Sequence, residues 1–538
     1  MTDLETIERD RAALRERWYR EGIYGSRSIG DALLEGARRW PDLWCVFHTE
    51  ARERRVTLRE MVDDGLAAAG ALRSLGIGPG DVVAVQLPTW YETAVLSQAV
   101  YQCGATLLPI IAIYGLHELE FVLRQSRARM LIVPDEWRRT DYAARIETLA
   151  KLPDLEHFVV VGYRAPARAM TLSALLERAR RDFDRPRVAA DDVSTLLYTS
   201  GTTSDPKGVQ HTHNTLLAEW ASHYADPAGV FFSVWPAGHI GGLYNLLRPI
   251  MRGVSHVFID QWVPEVAAQL LQKYRVEESG GTPTFLISLL EAVDRGGYDL
   301  SSLKRFNLGG AGVTPATMAL TDARGFPGAR GYGSTEHPTV SFPVPGMTFE
   351  QRTTTDGRIL GNEVRIVDDA GNDLPAGTAG EILTRGPELF IGYTDPRLNE
   401  EQFLPGGWFR TGDIGRVDAD GFLAITDRKK DIIIRGGENI SSKEVEDLLA
   451  RHPAVQESAV TGMPDERLGE RVCAFVALRP GASLTIEDVR AHFAALGVAR
   501  QKTPERIEIV TDFPRTAAGK VRKIDLRQKL REQAGRGG

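Results

Sequence analysis

The stretch "LLYTSGTTSDPKGVQHTHN", Leu196 to Asn214, decides how the rest of the chain is read. A short apolar run leads into a loop rich in small hydroxyl residues, with two glycines and a single lysine, Lys207. The segment "TLLAEWASHY" that follows has helical periodicity. A strand, a Gly/Ser/Thr loop and then a helix form an arrangement in which backbone N–H groups and a helix N-terminus receive phosphate. The common nucleotide loop G-x-x-x-x-G-K-[ST] is excluded, because Lys207 precedes its glycine instead of following it. Taken alone, such a loop is also an ordinary surface turn; its surroundings decide.

Upstream, "DVVAVQLP" (81–88), "TLLPII" and "RMLIVPD" read as buried strands, and "WYETAVLSQAVYQCG" (90–104) and "HELEFVLRQS" as helices. Downstream, "SHVFID" and "VPEVAAQLLQKYR" repeat the alternation. Such a pattern predicts parallel sheets with helices on both faces. After about residue 355 short strands broken by Gly, Pro and Asp take over, with "DAGN" and "DADG" as turns, which predicts antiparallel β structure. The last stretch, with "SSKEVEDLLARHP", "CAFVALRP" and "TIEDVRAHFAALG", predicts a small α+β unit behind a charged, glycine-punctuated hinge, "TDRKKDIIIRGG".

At 538 residues the chain exceeds one compact core. A net charge of -7 offers no electrostatic case for nucleic acid. Cys45, Cys103 and Cys473 lie far apart without metal-ligand spacing, which points to a reducing compartment. The charged N-terminus lacks an apolar core typical of secretory signals, and no apolar run reaches the roughly 18 residues of a membrane span. A cytoplasmic protein is expected.

The run T-S-G-T-T-x-x-P-K-G closely resembles the signature loop of the adenylate-forming superfamily, which includes acyl-CoA synthetases. Further motifs follow in that family's order: "WPAGHIGG" (235–242), "GYGSTEH" (331–337), "WFRTGD" (408–413), "DRKKDIIIRGGENI" (427–440) and "PRTAAGKVRK" (514–523). Ser204 departs from the pattern, since many members carry glycine there. The resemblance covers nearly the whole chain. It implies an N-terminal adenylation domain over residues 1–429, made of two doubly wound α/β sheets and a β-rich subdomain, and a mobile α+β domain over 430–538.

The implied reaction joins a carboxylate to the α-phosphate of ATP, expels pyrophosphate, and passes the acyl group from AMP to the thiol of coenzyme A. Two anions must be brought together, which calls for cations and donors rather than a protein nucleophile. By the resemblance, Thr199, Ser200, Gly201, Thr202, Thr203 and Lys207 hold the leaving phosphates, and Glu336 with Thr199 holds Mg²⁺. Thr335 donates to the α-phosphate, while Gly331, Tyr332, Gly333, Gly309, Gly310 and Ala311 line the adenine. Asp413 accepts from the ribose, and Arg428 reaches ribose or phosphate. Lys430 is the hinge, and Lys520 bridges carboxylate and α-phosphate. Arg435, Gly436, Gly437 and Glu438 face the thiol channel. Trp235, His239, Ile240, Gly241, Leu243 and Tyr244 form the acyl pocket, with His239 as a ring gate. Several have plainer readings on their own: Glu336 as a solvated loop residue, Tyr332 and His239 as core residues, Asp413 as a turn residue, Lys520 as a solvated lysine. His211 and His213 read as helix-entry caps.

The pocket has no evident Asp for an amino group and suits a hydrophobic acid, medium-chain, alicyclic or aromatic. Carrier-protein phosphopantetheine is the alternative acceptor, and a non-catalytic nucleotide-binding protein is the alternative of another class. A monomer and a homodimer are both compatible with the sequence.

Overall fold

The computed structural model describes residues 3–179, 181–199, 206–222, 229–309, 313, 315–435, 438–465, 467–516 and 519–535. Within these the first sheet is built on Val82–Val85, which pairs in parallel with Thr106–Pro109 and Met130–Pro134. His157–Val161 and Met170–Thr171 extend it in parallel on one side. Met130–Pro134 is buried at every position, as expected of a strand covered on both faces.

On the other side Val193–Thr199 joins Thr106–Pro109 in parallel. Here the structure corrects the sequence reading. The phosphate loop does not run from strand to helix: it closes a hairpin, because Lys207–Thr212 returns antiparallel to Val193–Thr199. Gly392–Tyr393 pairs with the outer edge of the returning strand, so its central backbone is bonded on both sides. The helix His213–Ser222 starts six residues after Lys207, so its N-terminus is not part of the loop. The mixed polarity of the short segment "KGVQHT" carries no periodicity that marks it as a strand.

The second sheet runs parallel through Gly328–Arg330, Arg305–Leu308, Glu278–Gly281, Val230–Ser233, Ser255–Ile259 and Trp44–His48, with Glu53–Thr57 antiparallel at the edge. One apolar core joins facing sides of both sheets, including Phe47 and Phe258 from the second and Val83, Val85 and Leu107 from the first. The helices Leu58–Ser74 and Tyr91–Gln102 contribute Met61, Leu72, Leu96 and Val100 to it.

Antiparallel strands Glu363–Val367, Gly380–Arg385, Trp408–Val417 and Leu423–Arg428 form the expected β-rich portion. In its "DADG" turn Asp418 accepts from the N–H groups of Asp420 and Phe422, and Gly421 takes a left-handed φ of 81°. The C-terminal sheet pairs Val455–Asp465 with Gly469–Leu478, flanked by Ile433–Arg435 and Arg506–Ile509. Its helix Ser442–Leu449 is capped by Ser441, which accepts from the Glu444 N–H. The mixed α/β N-terminal part and smaller α+β C-terminal part match the fold class expected from the sequence.

Candidate active site

The site begins with a cross-strand pair. Asp413, in Trp408–Val417, lies opposite Arg428, in Leu423–Arg428, and the register brings opposite charges face to face. Arg428 Nε meets Asp413 Oδ1 at 2.9 Å, and the Tyr332 hydroxyl donates to Asp413 Oδ2 at 2.6 Å. The carboxylate is almost fully buried while the guanidinium stays half exposed. Asp413 holds the Arg428 proton more tightly, and burial, with Asp413 next to it, pushes the Tyr332 phenol well above its usual range. Each carboxylate oxygen retains a further lone pair, so an engaged Asp413 still accepts from a diol.

Tyr332 is placed by a bridge to Ser341, whose strand turns the "GYGSTEH" segment back on itself. Gly333 is needed there, because a Cβ would meet the Pro338 carbonyl oxygen at 1.8 Å. The next residues, Thr335 and Glu336, are held from outside their own segment. Tyr393 donates its hydroxyl to Glu336 Oε1 at 2.8 Å, and the same ring carries Lys207 Nζ 5.3 Å from its centroid. The Thr335 carbonyl accepts from His211 Nε2 at 2.8 Å. Thus the loop lysine and the Glu336 carboxylate, over a hundred residues apart, share one aromatic neighbour.

Lys520 arrives from the C-terminal part. Arg515 bridges Val521, and between them the Gly519 N–H bonds the Thr516 carbonyl at 2.9 Å, with Gly519 at φ 80°. Lys520 stands opposite Thr516 beside this bridge, and a Cβ on the preceding Gly519 would come within 3.6 Å of the Thr282 hydroxyl. Burial, and then Arg428, pull the Lys520 ammonium down to about 8, while Asp413 and Glu336 pull the other way. Residues from both ends of the chain therefore share one electrostatic site.

His239 caps the helix Ile240–Arg252, its Nδ1 accepting from the Gly241 N–H at 3.1 Å. Nε2 consequently carries the ring proton. Burial, with Lys520 nearby, drops its basicity to about 3, so the ring is neutral. It stacks on Trp235 at 5.2 Å and 15°, and Phe285 meets Trp235 edge-on at 6.5 Å. Gly241 lies over the indole, its missing Cβ 3.7 Å from Trp235 Cγ. Ile240, Leu243 and Tyr244 are buried in the large core, Tyr244 stacked on Trp220.

Thr199 ends its strand opposite Lys207. Gly309 and Gly331 approach each other, the missing Cβ of Gly309 3.8 Å from the Gly331 carbonyl oxygen. Lys430 occupies a single 3₁₀ turn, Lys429–Asp431. Arg435 pairs with Glu505 at 2.8 Å. Ser200, Gly201, Thr202, Thr203, Ser204, Gly310, Ala311, Gly436 and Gly437 lie outside the described residues, as does the Glu438 side chain.

Two contributors were missed by sequence reasoning. Tyr393 sits in an unremarkable "IGYT", and nothing local marks it. His211 was read as a helix-entry cap, but it lies in a strand and its partner is 124 residues away. His213 does not cap the helix it starts either: its Nδ1 accepts from the Ile29 N–H at 3.1 Å.

Comparison with known proteins identifies the family. The family model described as AMP-binding enzyme matches residues 33–394, and the AMP-binding enzyme C-terminal domain matches 444–520. A medium-chain fatty-acid–CoA ligase of Escherichia coli (strain K12) is 36% identical over 536 residues, covering 97% of this chain and 93% of that protein. The 2-hydroxy-7-methoxy-5-methyl-1-naphthoate–CoA ligase of Streptomyces carzinostaticus is 33% identical over 540 residues, covering 95% and 94%. Among solved structures, the anthranilate CoA ligase AuaEII in complex with anthranoyl-AMP superposes with a TM-score of 0.86 at 28% identity, covering 95% and 98% of the two chains. The chain belongs to the AMP-binding enzyme family, as an ATP-dependent, AMP-forming acid–CoA ligase.

Proposed function

We propose that the enzyme activates a hydrophobic carboxylic acid as its acyl-adenylate and transfers the acyl group to coenzyme A, with Lys520 serving the first step only. The observation that carries this is Lys520 itself, brought into the field of Glu336, Asp413 and Arg428 by a loop of the C-terminal part. In the first step the substrate carboxylate attacks the α-phosphorus, and the bond to the bridging oxygen of pyrophosphate breaks. The Lys520 ammonium bridges the two reacting anions and lowers their repulsion. Lys207, with the hairpin loop, holds the departing phosphates, Thr335 donates to the α-phosphate, and Asp413 anchors the ribose beside Tyr332. In the second step the thiol displaces AMP after residues 430–538 rotate about Lys430, which removes Lys520 and presents the Arg435–Glu438 face.

Glu336 suits a magnesium ion. One of its oxygens is held by Tyr393, and it has no ion-pair partner among the described residues. Mg²⁺ commonly takes one or two carboxylates and completes its shell with phosphate and water. The ion supplies charge neutralisation at phosphate oxygens, and Glu336 with the Thr199 hydroxyl would hold it.

The acyl pocket is assigned to the Trp235–His239–Gly241 wall. Its stacked rings favour a flat aromatic or alicyclic acid, or a medium chain laid along them. The three cysteines are buried and unpaired, in keeping with a reducing cytoplasm, and among the described residues no helix is long and apolar enough to cross a membrane. A pyrophosphate-release screen over straight-chain, alicyclic and aromatic acids, with and without coenzyme A, tests the assignment. Release with hydrophobic acids and thioester formation with free coenzyme A support it. Thioester formation only on a carrier protein would replace the acceptor.

A further inference from the structure

We infer that His211 is a positioning residue for adenylation: it fixes the Thr335–Glu336 peptide from the strand that follows the phosphate loop. The inference rests on the assignment of Thr335 and Glu336 to the adenylation step.

His211 is fully buried in the hairpin strand Lys207–Thr212, four residues after Lys207. A carbonyl only accepts, so the 2.8 Å contact with the Thr335 oxygen requires the ring proton to sit on Nε2. Nδ1 is then an acceptor, and it faces the Thr215 hydroxyl at 3.1 Å. That hydroxyl is itself placed by the Thr212 N–H, which donates to it at 3.0 Å. Burial lowers the basicity of the ring to about 4, so the neutral donor persists through the working range of pH.

The bond matters because a peptide unit is planar and trans. Holding the Thr335 carbonyl toward His211 also fixes the direction of the Glu336 N–H, on the opposite side of the same plane. At the far end of the segment the Glu336 carbonyl accepts from the Phe390 N–H at 2.8 Å, and its side chain is tied to Tyr393. His211 is therefore the anchor that ties the donor-bearing Thr335 directly to the strand carrying Lys207. A second, indirect tie runs from Glu336 through Phe390 and Tyr393 to the same strand, and His211 supplies the direct one at Thr335. Any buried histidine needs a partner for its N–H; what distinguishes His211 is that this partner is the Thr335 carbonyl.

The test compares His211→Leu, which keeps bulk and removes the donor, with His211→Gln, whose terminal amide can donate to the same carbonyl. Three readouts are taken on each full-length variant: carboxylate-dependent pyrophosphate exchange, thioester formation from pre-made acyl-AMP, and the thermal midpoint. Expected for His211→Leu is a loss of ~10- to 100-fold in the kcat of exchange, with KM for ATP changed less than threefold and thioester formation retained, in line with the cost of a misplaced reacting group. His211→Gln should recover a substantial part of that loss. If His211→Leu fails to fold, His211→Gln carries the test through its own kcat and half-reaction split. Equal loss in both half-reactions, or a fall in thermal midpoint that accounts for the lost activity, overturns the inference. Glu336→Ala is assayed beside them: should it exchange normally, the Thr335–Glu336 assignment fails; should it lose exchange while His211→Leu does not, the positioning role alone fails.

Discussion

The two faces of the cleft are built differently. On the N-terminal side three candidate groups are tied down: Asp413 by Arg428 and Tyr332, Glu336 by Tyr393, and the Thr335 carbonyl by His211. On the C-terminal side Lys520 is held only through its backbone, by Thr516, and its ammonium has no ion-pair partner among the described residues. Rigid donors suit charge that develops at a fixed place, since they need no reorganisation. An unpaired cation on a loop suits a group that must leave before the second step. On the proposed mechanism the contrast is a division of labour: the fixed face would bind the nucleotide, and the lysine-bearing face would select which half-reaction runs.

The comparison can be broken in several places. Lys520→Ala should cause the largest loss of overall turnover, roughly 10³-fold, the scale of removing a preorganised charge from a reacting oxyanion. Glu336→Ala should lower MgATP-dependent pyrophosphate exchange by ~10²-fold; exchange at the wild-type rate would remove Glu336 from the site. A third expectation concerns pH. Lys520 has its basicity lowered to about 8, so it is charged below that pH and loses its proton above it. The kcat/KM of exchange should therefore be flat below about pH 8 and fall about tenfold per unit above it. In Lys520→Arg the alkaline limb should disappear, at reduced amplitude. His239, neutral down to about 3, should set no limb between pH 5 and 8. Smallest is Tyr332→Phe, which removes one hydrogen bond to Asp413 and should raise KM for ATP ~5- to 10-fold, on the order of 1 kcal/mol. No change there would show that Arg428 alone orients the carboxylate.

Much of this was legible in the sequence, for physical reasons. Strands such as Met130–Pro134 are apolar at every position because both faces are covered, so they stand out as runs. Caps such as Ser441 and the "DADG" turn announce themselves through local chemistry. The candidate constellation could be proposed from the sequence only because six short motifs occur in order; no single one carried it. What escaped was non-local. The strand Lys207–Thr212 is stabilised by edges on either side, one of them nearly two hundred residues away, and its own polarity pattern is ambiguous. Tyr393 and His211 reach Glu336 and Thr335 through hydrogen bonds that span 57 and 124 residues, and nothing in their neighbours' spacing records those bonds.

The central claim is that Lys520 serves adenylation and not thioester formation. It is tested most directly by measuring both half-reactions on Lys520→Ala: carboxylate-dependent pyrophosphate exchange, and thioester formation from purified acyl-AMP with coenzyme A. The account predicts that exchange falls by roughly 10³-fold while the second half-reaction stays within about threefold of wild type. Equal losses in the two would contradict it.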